Sequence, residues 1–216
     1  PLAETLLIGE QIADALAYAH QQGVIHRDVK PGNIMFRDTG NSTGVRHPVL
    51  TDFGIVHLLA DAALTMSSVL AGTPAYMSPE AADGAAIDHR ADLYSLGVVL
   101  YELLTGEPPY KGDTPVRVMM QHLTAPLPPL AEKRPDLPDL VVQIIERALA
   151  KEPTERFQRA ETMRQALLQA RLALTDGHAP QTHILPALTM VAERRPQQAA
   201  ANQPAGKAQV SAGPQA

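Results

Sequence analysis

His26–Asn33 reads HRDVKPGN and packs an acid, two bases and an amide into eight residues. Such a cluster can lie along one loop and face one small site. Nineteen residues past Asn33 comes Asp52-Phe53-Gly54, a second carboxylate followed by a glycine able to take backbone angles closed to other residues. The apolar run Pro48-Val49-Leu50-Thr51 leads into it. An isolated HRD arises by chance, and an isolated DFG is an ordinary turn at a strand end. The conjunction carries the argument: HRD, a lysine two residues on, an asparagine three beyond that, then the apolar run and DFG, in that order.

Together the two segments resemble the catalytic loop and the metal-binding DFG segment of the eukaryotic-like (Hanks-type) serine/threonine protein kinases. Wording such as NIMF and GTPAYMSPE inclines the resemblance toward bacterial members. It implies transfer of the ATP γ-phosphate to protein hydroxyls, a reaction in which the protein chiefly positions groups and neutralises charge. On that reading Asp28 accepts or orients the proton of the attacking hydroxyl. Lys30, on the same side if the loop is locally extended, meets the phosphate as a point charge. Asn33 and Asp52 supply hard oxygen ligands suited to Mg2+, which keeps waters and shares phosphate oxygens. Met35 falls on the floor of the adenine pocket and Thr51 at its border, although plain core packing suits either residue equally.

Length and composition bound the rest. A chain of 216 residues with 45% apolar and 19% charged content can bury a real core, and one domain plus a tail is expected. The net charge of −5 leaves no basic footprint for nucleic acid. Without cysteine there is no disulfide framework and no thiolate metal site, which is compatible with a reducing cytoplasm. No apolar run approaches the length of a membrane span. The 19 prolines crowd toward residues 126–138 and the last third, pointing to long connections and a loose end.

Along the chain, Leu7, Ile8, Ile12, Ala15, Leu16 and Ala19 recur at helical spacing and predict a half-buried helix from Glu4 to Gln22, stopped by Gly23. Ile34-Met35-Phe36 reads as a short strand, and residues 37–47 as a polar turn or loop. In Asp88–Gly106 the apolar residues spread nearly all round the helical wheel, so that helix is buried, with Gly106 as its cap. Asp113-Thr114-Pro115 starts another helix with an acidic cap. Residues 124–135 read as extended, and 137–150 and 160–174 as helices.

The resemblance also covers residues 71–80, which look like the end of an activation segment specific to serine/threonine protein kinases and absent from small-molecule kinases. It implies that Thr73 contacts Asp28 and Lys30 and shapes the pocket beside the substrate hydroxyl. Thr65, Ser67 and Ser68 fall where members are phosphorylated, and a phosphate there could pair with Arg27. Asp92 would take donors from the backbone around His26 and Arg27, and Arg156 would pair with Glu80. These five are supports, not chemical groups.

The family's glycine-rich loop, strand lysine and helix glutamate have no counterpart in this sequence, where Lys30 is the first lysine. The expected fold is therefore mainly α, a kinase-like C-terminal lobe over 1–174 without the small lobe, followed by a disordered Ala/Gln/Pro-rich tail over 175–216. The implied partners are Ser/Thr protein substrates, ATP and a second copy for autophosphorylation. The expected location is the cytoplasm, or the cytoplasmic face of a membrane for a longer parent. Alone, such a lobe gives up most of the positioning that catalysis needs. Two other functions compete: a non-catalytic docking module, and a small-molecule phosphotransferase with a similar catalytic loop.

Overall fold

Seven helices and one strand pair make up the described residues of the chain, 1–38, 46–53 and 74–175, in a computed structural model. In order these are α1 (Leu2–Gln21), β1 (Ile34–Asp38), β2 (Arg46–Leu50), α2 (Pro79–Ala82), α3 (Arg90–Thr105), α4 (Pro115–Thr124), α5 (Leu130–Lys133), α6 (Asp139–Ala148) and α7 (Ala160–Thr175). Short 3-10 turns lie at Pro31–Asn33, Pro74–Tyr76 and Pro153–Glu155.

A helix apolar on every side needs cover on every side, and α3 has it: 12 of its 16 residues are buried. α1 lies against it, α6 packs along it, and α7 packs on α1. Glycines let these axes approach. A Cβ on Gly9 of α1 would come within 2.8 Å of Leu100 Cδ2, and one on Gly97 of α3 within 2.8 Å of Ala148 Cβ on α6. Gly106, in the left-handed region at φ +83, ends α3.

β1 and β2 pair antiparallel with Ile34 opposite Leu50 and Met35 opposite Val49. The period of two turns the first pair into the core and the second outward, so Ile34 and Leu50 are buried while Met35 is 58% exposed. Because Met35 faces out, core packing is not its role.

Three local readings need correction. Asp88 stands before α3, where its carboxylate accepts the Arg90 N–H at 2.8 Å and pairs with the Arg90 guanidinium. Thr114, not Asp113, caps α4, its Oγ1 accepting the Arg117 N–H at 3.3 Å. The stretch expected to be extended contains α5, because Leu130 is fully buried and pulls one turn against α3. The stretches around 37–47 and 175–216 fall largely outside the described residues.

Candidate active site

The loop after α1 is held from below by one carboxylate. Asp92, 1% exposed near the start of α3, accepts the backbone N–H of His26 on Oδ2 and that of Arg27 on Oδ1, both at 2.8 Å. His20 Nε2, also 2.8 Å from Oδ2, is a third partner that sequence reasoning missed. A buried carboxylate without such donors would be costly. The bonds also hold Arg27 at φ +66, a left-handed backbone that non-glycine residues rarely adopt.

His26, itself buried, links the loop to the second segment. Its Nδ1 accepts the Asp28 N–H at 3.3 Å, so the proton sits on Nε2, which donates to the Thr51 carbonyl at 2.9 Å. Phe53 lies against the imidazole with ring centroids 4.6 Å apart. Thr51 in turn donates its N–H (2.9 Å) and Oγ1–H (3.2 Å) to the Asn33 carbonyl. Asp52 follows directly, at φ +59 with an exposed side chain. Asp52 itself takes a left-handed backbone; Gly54, where such an angle was expected, lies outside the described residues.

Asp28, Lys30 and Asn33 converge. Lys30 is extended at φ −155, ψ 163, and its Nζ lies 2.8 Å from Asp28 Oδ2. Asn33 Nδ2 donates to the Asp28 carbonyl at 2.8 Å and to Oδ2 at 2.9 Å. With both amide protons directed at Asp28, Asn33 Oδ1 is the atom left to meet a ligand. Among the described residues no group of three or more His, Cys, Asp or Glu could hold a metal ion. Asn33 Oδ1 and the exposed Asp52 carboxylate are hard oxygen donors, a chemistry that suits an Mg2+ completing its shell with water and phosphate oxygens. Met35 and Val49 offer an exposed apolar face beside this loop, and Thr51 is half-buried at its edge.

Below the site, Glu80 and Arg156 meet in a two-pronged pair, NH1 to Oε1 at 2.8 Å and NH2 to Oε2 at 2.7 Å. Burial pushes the Glu80 carboxyl up, and the guanidinium more than offsets this, leaving it below the ordinary range. Thr65, Ser67, Ser68 and Thr73 lie outside the described residues. Sequence reasoning also missed Ser95, His122 and Lys151, which gather under Pro74–Met77. Their spacing along the chain does not point to that segment.

Residues 3–168 match the protein kinase domain family. The chain is 45% identical over 157 residues to the serine/threonine-protein kinase PkaA of Streptomyces coelicolor, covering 72% of this chain and 27% of that protein. It is 47% identical over 166 residues to PknB of Mycobacterium tuberculosis, covering 74% and 25%. The chain thus spans about a quarter of the length of the curated relatives it matches. A crystal structure of the Mycobacterium tuberculosis PknI kinase domain superposes with a TM-score of 0.56 at 32% identity, covering 79% of this chain and 55% of that one.

Proposed function

Because this chain belongs to the serine/threonine protein kinase family, we propose that it is the C-terminal lobe of a bacterial-type member, whose parent moves the γ-phosphate of ATP to Ser/Thr hydroxyls of proteins. The observation that carries this reading is the convergence on Asp28, whose Oδ2 meets Lys30 Nζ at 2.8 Å and Asn33 Nδ2 at 2.9 Å. A docking surface has no use for that combination.

In this reading Asp28 orients the substrate hydroxyl and takes its proton, its Oδ2 kept in place by Asn33. Lys30 is close enough to turn from Asp28 to the phosphate as that charge arrives. Asn33 Oδ1 and Asp52 would hold Mg2+, which when bound offsets phosphate charge. Met35, Val49 and Thr51 would form one wall for the adenine, and the role beside the acceptor is assigned to Thr73. Thr65, Ser67 or Ser68, once phosphorylated by another copy, pairs with Arg27. The other wall, the phosphate-clamping loop and the strand lysine are assigned to a small lobe outside this sequence. Exposed Tyr18, Val24 and Phe36 are consistent with cover by such a lobe. The division into a lobe over 1–174 and a disordered tail over 175–216 belongs to the same proposal.

The test expresses the natural full-length reading frame and measures transfer of radiolabelled γ-phosphate to itself, with Asp28→Asn as control. Wild-type labelling with loss in the control supports the reading; equal labelling of both overturns it. Labelling of an aminoglycoside but of no protein would favour the small-molecule alternative, and ATP-independent partner binding with no labelling the docking module.

A further inference from the structure

Pro74–Met77 is half-buried and held by groups from outside the segment. Ser95 Oγ donates to the Tyr76 carbonyl at 2.7 Å, and Tyr76 Oη donates to Glu102 Oε2 at 2.5 Å. The third hold comes from α4: His122 Nε2 lies 3.1 Å from the Ala75 carbonyl. His122 is 0% exposed, and its Nδ1 lies 2.8 Å from Tyr94 Oη.

This geometry defines the tautomer. A carbonyl can only accept, so Nε2 carries the proton and Nδ1 is left to accept the Tyr94 O–H, which burial keeps protonated. The surroundings suit a neutral ring. Tyr110 packs edge-on against it with centroids 4.9 Å apart, and Lys151 Nζ donates to the His122 carbonyl at 2.6 Å, the Gln121 carbonyl at 3.2 Å and Tyr110 Oη at 2.8 Å. Burial, then the Lys151 charge, lower the His122 pKa to about 4. Burial and the Arg156 charge bring Lys151 to about 8, still protonated at neutral pH.

We propose that His122 is a positioning residue for substrate: its Nε2–H fixes the Ala75 carbonyl and with it the Pro74–Met77 segment next to the acceptor hydroxyl that Asp28 serves. The inference rests on the kinase reading, in which that segment borders the substrate. A packing role is filled by any ring of this size, whereas a positioning role needs a donor four bonds from Cα.

Three variants separate the two roles. His122→Phe keeps a ring and removes the donor; His122→Gln restores a donor at the reach of Nε2; His122→Asn places one at the reach of Nδ1. The first readout, on this chain, is amide exchange of Met77, whose N–H donates to the Pro74 carbonyl at 3.2 Å. Exchange should accelerate about tenfold in the Phe and Asn variants and stay near wild type in Gln. The second, on the full-length enzyme, uses a synthetic peptide copying residues 58–72. Its KM should rise about tenfold for Phe and Asn, with the KM for ATP unchanged and Gln restoring the peptide KM. A long-range nitrogen–proton spectrum of wild type should show His122 protonated at Nε2 alone. Phe and Gln behaving alike, a loss on the ATP KM, or a proton on Nδ1 would each overturn the proposal. Should the full-length enzyme transfer no phosphate, the kinase reading fails, while Met77 exchange and the tautomer still judge whether His122 holds the segment.

Discussion

Replacing Glu80 by alanine is expected to cost the fold about 3–5 kcal/mol, because it strands a charge that has no route to water. Arg156 is 0% exposed. Its remaining partners would be the carbonyls of Ala150 and Lys151 at 2.8 Å and of Arg90 at 3.4 Å, with the Tyr94 ring 4.8 Å from the guanidinium carbon. These neutral acceptors satisfy hydrogen bonds but do not balance the charge. The two bonds lost are charge-assisted, about 1.5–3 kcal/mol each, which agrees with the range above. By contrast the Arg117–Asp113 pair, with side chains 66% and 92% exposed, should contribute under about 1 kcal/mol. Arg156→Met in the Glu80→Ala background removes the stranded charge, so the double variant should be at least about 1 kcal/mol better than the sum of the single losses. Urea unfolding of the chain followed by circular dichroism measures this. With a slope of about 2 kcal/mol per molar, the Glu80→Ala midpoint should fall by about 1.5–2.5 M. A fall below about 0.5 M, or additive single losses, would refute the account of a buried, mutually dependent pair. The pair also predicts acid sensitivity. The folded-state Glu80 pKa lies below its unfolded value, so its stabilisation is complete above the ordinary carboxylate range and is lost as pH falls through the folded value. That portion of the acid response should vanish in Glu80→Ala.

Asp92→Asn keeps one acceptor but turns an NH2 toward a backbone N–H now bonded at 2.8 Å, so stability should drop by about 2–3 kcal/mol and the amides of His26 and Arg27 should exchange faster; unchanged protection would refute the anchoring role. Gly97→Ala puts a methyl 2.8 Å from Ala148 Cβ, which cannot rotate aside, and should cost about 1–3 kcal/mol despite the better helix propensity of alanine. Gly9→Ala, which meets the rotatable Leu100 Cδ2, should cost less, and thermal melts ranking the two the other way would contradict this packing. For His122 the folded pKa of about 4 lies below the ordinary 6.5, so the unfolded chain takes the proton first. Stability should be full above pH 6.5, decline by up to about 3 kcal/mol toward pH 4 and then level, and His122→Gln should lack that slope.

Features that repeat along the chain are legible in the sequence alone. The periods of three and four mark α1 and α6, and the unbroken apolar wheel marks α3 as buried, because helix geometry converts spacing directly into a face. Asp28, Lys30 and Asn33 are five residues apart at most, so a single extended turn suffices to bring them together. Resemblance supplied the Asp92 anchor and the pairing of Glu80 with Arg156, which spacing alone does not encode. Packing decided what remained. His20 reaches Asp92 across 72 residues and His122 reaches Ala75 across 47, and neither histidine lies in a motif that would mark it. The left-handed backbone of Arg27 likewise answers to the hydrogen bond its N–H makes to Asp92, 65 residues away. Local spacing determines which face a side chain takes; only the docking of helices on one another determines which distant atom it finds there.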